Sequence, residues 1–152
     1  MTQQQSNMLN TFFVHVFNQI LAWEEQTLRK IENSDLTVRE LHVIEAVSEL
    51  TASLQNTMAT TAKFLSISPG SLTTAVHVLV NKGYLKRSYT KKDRRVVFIS
   101  LTEMGNKVNN IHKEFHKEMT QSIGEQLSED NLDILLDSLD KISVFFARKP
   151  TT

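Results

Sequence analysis

The sequence contains no cysteine, and this absence excludes disulfide bonds and thiolate metal ligands from its 152 residues. Any metal site must therefore use histidine, aspartate or glutamate. Only two prolines and four glycines interrupt the chain, which favours long helices. No apolar run approaches the roughly 20 residues that cross a bilayer, and the first ten residues are polar and uncharged, unlike a signal peptide. We therefore expect a cytoplasmic protein that makes no membrane contact.

The formal net charge of zero conceals a local excess of positive charge. In segment 82–95, seven basic residues stand against the single carboxylate of Asp93, so this segment carries +6 and the remainder carries −6. A basic patch on an acidic body predicts that the protein binds a polyanion. We find no nucleophile–base pair, glycine-rich phosphate loop or dense carboxylate pair, so we do not expect an enzyme. A purely architectural interaction module would leave the basic segment unexplained.

The middle of the chain has the pattern of a helix-turn-helix. Capping residues and apolar spacing predict helices over 38–50 and 58–65. Ser68 and Pro69 then predict the start of a helix. Serine caps the first turn, and the N–H that proline lacks would have no hydrogen-bond partner at the first helical position. The helix that follows, 69–81, has an apolar inner face and a small, hydroxyl-rich outer face. Helix 69–81 is the second helix of the helix-turn-helix, and it is the one that we expect to contact DNA.

A β-hairpin with a basic turn is predicted directly after this helix. Two segments of strand-forming residues, 84–87 and 96–100, flank the turn. Amphipathic helices are predicted at both ends of the chain, and their apolar stripes exceed what one helix partner can cover, so we expect a homodimer. The predicted fold is mostly α with a small β-hairpin wing. It is one domain over 1–152, with a winged helix-turn-helix at 36–102 and dimerisation helices at 8–32 and 103–148.

The wing segment resembles that of the MarR family of bacterial transcriptional regulators. The resemblance rests on Asp93, Arg94 and Arg95, followed by Leu101-Thr102 and then Gly105. It implies a triangular, α-rich dimer in which the first and last helices form the interface and the winged modules bind an operator in double-stranded DNA. It also implies that Arg95 enters the minor groove and that Asp93 holds its guanidinium extended.

Basic wing residues and hydroxyl-bearing helix residues form the predicted DNA contacts. Lysines neutralise phosphates without reading sequence, arginines suit a narrow minor groove, and threonine methyl groups suit thymine. We therefore expect an operator rich in A·T pairs. The predicted DNA-binding residues are Ser68, Gly70, Ser71, Thr73, Thr74, His77, Lys82, Lys86, Arg87, Lys91, Lys92, Asp93, Arg94 and Arg95.

Histidines at helical spacing raise the question of a metal. His112 and His116 are four residues apart, so their rings share one helix face, and this spacing suits two ligands of one ion. By resemblance to the zinc-responsive branch of the family, Glu24, His42, His112 and His116 match its first zinc site. Leu41 stands where that branch has a carboxylate for its second site. The alternative is a hydrogen-bond network between helices, in which His42 and Glu24 satisfy each other.

A second resemblance points to lipid regulation. Residues 112–119, 24–25, 41–42 and 70–74 are similar to the repressors of fatty-acid synthesis of Gram-positive bacteria, whose corepressor is a long-chain acyl group on acyl carrier protein. We therefore expect a repressor of this kind, with a zinc-responsive repressor or a regulator of another small-molecule response as the alternatives. An acyl pocket would be apolar, whereas the same residues as core or dimer packing remain the other interpretation. The predicted lining is Phe12, Phe13, Phe17, Trp23, Phe115 and Met119.

Overall fold

A computed structural model describes residues 1–31, 34–89 and 95–147. It confirms the predicted mostly helical fold with a two-stranded hairpin. In chain order the elements are α1 (Gln3–Arg29), α2 (Val38–Ala52), α3 (Met58–Phe64), α4 (Pro69–Asn81), β1 (Leu85–Tyr89), β2 (Val97–Leu101), α5 (Glu103–Gly124) and α6 (Glu129–Ala147). Among these described helices, none combines the length and the apolar character that crossing a membrane requires.

Helix α1 begins six residues before the predicted start at residue 9. The reason is a capping box at its N-terminus. Thr2 accepts a hydrogen bond from the backbone N–H of Gln5, and the Gln5 side chain accepts one from the backbone of Thr2. These bonds satisfy helix donors that otherwise lack partners, so the helix extends through a polar segment that has no apolar stripe.

The core lies inside the winged module and is centred on α2. Ile44 and Val47 of α2 are fully buried against Leu72 and Val76 of α4, and Ile99 closes this cluster from the wing. Burial of one such side chain contributes about 1.5–3 kcal/mol. Because the buried face of α4 is anchored in this way, its opposite face is held outward.

The wing is an antiparallel hairpin in which Leu85 pairs with Leu101 and Tyr89 pairs with Val97. Asn56 extends it on the other side of β2: the backbone N–H of Ile99 donates to the carbonyl of Asn56 at 2.9 Å, and the Asn56 amide donates to the carbonyl of Ile99 at 2.5 Å. The wing is therefore tied to the start of α3 as well as to α4.

Helix α5 leaves the wing through a close backbone contact. Thr102 caps the helix by accepting from the N–H of Gly105 at 3.1 Å, and its hydroxyl donates to the carbonyl of Gly83 at 2.6 Å. A Cβ atom on Gly105 would lie 2.2 Å from the carbonyl oxygen of Tyr84. Only glycine fits this crossing, which fixes the direction of α5 relative to the hairpin.

The apolar faces of the terminal helices are largely exposed in the single chain. None of the 19 described residues of α6 is buried. Large apolar side chains with at least a third of their surface exposed are Met8, Leu9, Phe12, Val14, Phe17, Leu21 and Trp23 on α1, and Ile134, Leu136, Leu139, Val144, Phe145 and Phe146 on α6.

Candidate nucleic-acid interface and histidine cluster

The threonine hydroxyls on the outer face of helix α4 already donate hydrogen bonds to backbone carbonyls of the same helix. Thr73 Oγ1 donates to the carbonyl of Pro69 at 2.8 Å, and Thr74 Oγ1 donates to the carbonyl of Gly70 at 3.2 Å. Ser71 completes the first turn with Ser68, their hydroxyl oxygens being 2.8 Å apart. The two threonines therefore offer acceptor lone pairs and methyl groups to a ligand, which suits adenine N6, cytosine N4 and the thymine methyl group.

The end of α4 and the wing supply the remaining described polar groups. His77 is exposed and its Nε2 lies 3.1 Å from the Asn81 amide nitrogen. Lys86 and Arg95 are exposed on the hairpin, and the Arg87 guanidinium donates to the carbonyl of Thr73 at 3.5 Å. The structure thus places Arg87 of the wing against α4, whereas Lys86 projects from the opposite face of β1. Lys91, Lys92, Asp93 and Arg94, which we also predicted to contact DNA, lie outside the described residues.

Lys82 is engaged within the protein. Its ammonium group donates to both carboxylate oxygens of Glu40 at 3.0 Å and to the carbonyl of Asp35 at 2.6 Å. Partial burial lowers the pKa of Lys82, but the hydrogen bond and the charge of Glu40 outweigh this effect and raise it. This ion pair joins the end of α4 to the start of α2, so a DNA contact by Lys82 would compete with a bond that it already makes.

Three histidines converge on one buried carboxylate between α1, α2 and α5. Glu24 Oε1 lies 3.1 Å from Nε2 of His42, 3.3 Å from Nε2 of His112 and 3.5 Å from Nε2 of His116. The two Nε2 atoms of His112 and His116 are 2.9 Å apart. The structure therefore brings together all four residues of the predicted metal set, and it equally realises the hydrogen bond between His42 and Glu24 of the alternative.

Glu45 joins this cluster and was not predicted. Its carboxylate lies 3.7 Å from Nδ1 of His112, a buried ring nitrogen without a hydrogen-bond partner among the described residues. Glu45 follows His42 by three residues on α2, so helical spacing from His42 was the signal that would have found it. With His112 and His116 it forms one set of convergent ligand atoms, and Glu24, His42 and His112 form another.

Burial disfavours the charged form of His112. It lowers the pKa of His112 below the ordinary value of 6.5, and the nearby carboxylates of Glu45 and Glu24 offset only part of this effect. A neutral imidazole has a lone pair, which a metal ligand requires. The donor set of three imidazole nitrogens and one carboxylate oxygen is also one that zinc accepts. The chemistry of the residues present therefore fits a divalent transition metal.

An apolar groove of about 270 Å³ runs between α1 and α5 beside this cluster. Trp23 and Met119, two of the predicted pocket residues, line it. Phe115 is buried behind it, with its ring edge-to-face against Trp23 at 5.2 Å. The full lining is Val16, Gln19, Ile20, Trp23, Met119, Ser122, Ile123 and Gln126.

The other three predicted pocket residues do not line this groove. Phe12 and Phe17 are 51% and 66% exposed on α1. Phe13 lies against Phe146 of α6, with ring centroids 6.5 Å apart. Phe12 and Phe17 belong to the exposed apolar surface of α1, whereas Phe13 packs against α6 instead of lining the groove.

Comparison with known proteins assigns the chain to a family. The model of the transcriptional regulator SarA/Rot family matches residues 26–112. The uncharacterized HTH-type transcriptional regulator YwaE of Bacillus subtilis (strain 168) is 30% identical over 83 residues, which are 54% of this chain and 48% of that protein. The chain thus spans about half the length of the curated relative that it matches.

Solved structures agree over most of the chain. The crystal structure of Streptococcus pneumoniae FabT in complex with DNA is 29% identical and covers 93% of this chain and 97% of its own, with a TM-score of 0.85. A MarR variant from E. coli complexed with operator DNA is 21% identical and covers 93% and 99%, with a TM-score of 0.64, which shows the shared fold. The chain therefore belongs to the SarA/Rot family of transcriptional regulators and has the MarR-type winged-helix fold.

Proposed function

We propose that the chain is a homodimeric, sequence-specific DNA-binding repressor of fatty-acid synthesis genes, whose effector is a long-chain acyl group or its acyl carrier protein. The observation that carries this proposal is the likeness, over nearly the whole chain, to a FabT bound to DNA. The outward face of α4 beside a cationic hairpin is the surface that would bind the operator. It has the composition that DNA backbone and base edges require.

Dimerisation is supported by the uncovered faces of α1 and α6. Phe17 and Phe146 are both more than half exposed, and they lie within two rows of apolar side chains. When many neighbouring apolar side chains are exposed on a single chain, they commonly form a surface that binds another protein. A second copy would cover both rows and would present two α4 helices to one duplex, as a symmetric operator requires.

The groove between α1 and α5 supports an acyl effector. Its lining is mainly apolar, which suits a hydrocarbon chain. Trp23 at the groove contacts Phe115, and the Phe115 ring stacks on that of His112 at 6.3 Å. His112 in turn faces Glu45 of α2, the central helix of the DNA-binding module. An acyl chain in the groove would therefore alter how α5 packs against α2.

We predict that a long-chain acyl carrier protein raises operator affinity about tenfold, since a coupling free energy of 1–3 kcal/mol is typical between two sites. Fluorescence anisotropy with operator DNA from the region upstream of the chain's own gene measures this. Trp23 is the only tryptophan, so its emission reports directly on the groove.

A groove-filling variant supplies the control for this prediction. Ser122→Trp places a large ring in the groove and should abolish the response, whereas Lys117→Trp adds the same ring elsewhere on α5 and should retain it. Equal affinity with and without the acyl carrier protein in the wild type would contradict the lipid proposal while leaving DNA binding untouched.

The convergent histidines support zinc as a second candidate effector. Glu24, His42, His112 and His116 would hold the ion, which would join α1, α2 and α5 at one point. When bound, zinc would supply fixed coordination bonds between these helices rather than chemistry.

We predict that calorimetric titration of metal-free protein with zinc shows one site per chain, and that His112→Ala removes it, because only His42 and His116 then remain beside the Glu24 carboxylate. The matched control is His77→Ala, which removes an exposed histidine on α4 and should leave the titration unchanged. A wild-type titration without a saturable site, or one that His112→Ala does not alter, would contradict zinc sensing.

A further inference from the structure

A second groove, of about 300 Å³, separates α4 from the wing. It is lined by Met58, Thr73, Arg87, Tyr89 and Val97. Arg87 and Tyr89 are two residues apart on β1, so they share one face of the strand, the face that turns toward α4. Lys86 and Ser88 lie on the other face. Tyr89 was not among the residues that the sequence predicted to contact DNA.

Arg87 is half-buried at the floor of this groove. Its guanidinium donates to the backbone carbonyl of Thr73 at 3.5 Å, which uses one of its five N–H donors. The Arg87 side chain therefore bridges β1 and α4. A charge held in this way loses little conformational freedom when it binds an anion, because its rotamer is already restricted.

Tyr89 lies at the outer end of the same face. Its side chain is 59% exposed and lines the groove together with Arg87. An exposed tyrosine at a strand end has an apolar ring that fits a deoxyribose and a hydroxyl that donates to a phosphate oxygen.

The position of the groove identifies its occupant. A helix in the major groove of DNA and a hairpin in the adjacent minor groove are separated by one sugar-phosphate strand. The groove between α4 and β1 lies between these two contact surfaces, so that strand must pass over it. The occupant is therefore a phosphodiester, and the cation at the floor has the complementary charge.

We propose that Arg87 and Tyr89 form a seat for one backbone phosphate of the operator, which sets the register of α4 against the wing. This inference rests on the proposed DNA binding and adds to it a defined contact. Arg87 binds the phosphate while it holds β1 against Thr73, and the Tyr89 hydroxyl donates to the same phosphate. The seat binds without reading bases directly.

The first measurement is the operator affinity of two variants and two controls. The duplex is one isolated by in vitro selection with the wild-type protein. We expect Arg87→Ala to weaken binding about 10- to 100-fold, because it removes a charged hydrogen-bond donor. Tyr89→Phe removes a neutral donor and should weaken binding about fivefold. Ser88→Ala, on the other strand face, should leave affinity unchanged. Lys86→Ala should weaken binding through a different phosphate.

Neutral phosphate analogues separate a phosphate contact from a structural role. In duplexes that carry one methylphosphonate at each backbone position in turn, one position should weaken wild-type binding most. The loss at that position should be smaller in Arg87→Ala and in Tyr89→Phe, because each variant has already lost one of the two contacts to that phosphate, and Arg87→Ala should show the larger reduction. Lys86→Ala should still lose affinity at that position. A merely destabilised wing would lower affinity for every duplex alike.

Each outcome has a distinct meaning. Additive losses at every methylphosphonate position in both variants would overturn the seat and leave DNA binding intact. If in vitro selection with the wild-type protein enriched no duplex, DNA binding itself would be wrong, and the seat with it.

Discussion

Replacing Gly105 with alanine will lower the free energy of unfolding by about 3 kcal/mol, the upper end of what overpacking costs. The added Cβ would stand 2.2 Å from the carbonyl oxygen of Tyr84 and 3.4 Å from Cβ of Leu101. The first of these atoms is backbone and cannot rotate away. Relief would require α5 to shift from the hairpin, against the hydrogen bonds that Thr102 makes to both sides of the crossing.

Gly124→Ala is the matched control for this prediction. Gly124 is the last residue of the same helix, and a Cβ there would meet no atom within 4 Å. Alanine at that position should raise stability by about 0.5–1 kcal/mol, because glycine loses more backbone freedom when it becomes helical. Guanidinium unfolding at one fixed protein concentration measures both variants. An unchanged midpoint for Gly105→Ala would contradict the close contact.

The starts of α2, α4 and α5 could be predicted from the sequence because helix caps are local. Thr37, Ser68 and Thr102 each bond to a backbone N–H three residues later, so a window of four residues contains the whole signal. The start of α1 was missed because Thr2 and Gln5 precede the apolar stripe on which the prediction relied.

The candidate sites were only partly predictable because their members come from distant elements. Helical spacing placed His112 and His116 on one face, but the approach of Glu45 depends on how α5 packs against α2. The ion pair of Lys82 with Glu40 joins residues 42 positions apart, and no local pattern indicates it.

The aromatic residues of α1 illustrate a different limit. Phe12 and Trp23 share one face of α1, yet Trp23 lines a groove and Phe12 does not. Periodicity identifies an apolar stripe but does not say whether the stripe packs against its own chain, a ligand or a second subunit.

Arg95→Ala should weaken operator binding about 10- to 100-fold, the cost of losing a charge-assisted contact. Arg95 is exposed in the turn that leads into β2, where it can reach the minor groove beside the major groove that α4 would occupy. Negative potential is concentrated in a narrow minor groove, so one guanidinium contributes more there than on the outside of the backbone. Because the variant neutralises one DNA charge fewer, the slope of log affinity against log salt should also fall in magnitude by about 1.

Fluorescence anisotropy at several salt concentrations measures both quantities for Arg95→Ala. Lys117→Ala is the control, because it removes an equal charge from an exposed position on α5, where its ion pair with Glu114 is worth little. Its affinity and salt slope should match the wild type. Both variants should sediment as the wild type does, because neither residue lies on the exposed faces of α1 and α6 that the proposed dimer would use. Wild-type affinity of Arg95→Ala at every salt concentration would exclude Arg95 from the DNA interface and would leave α4 and strand β1 as the surfaces to test.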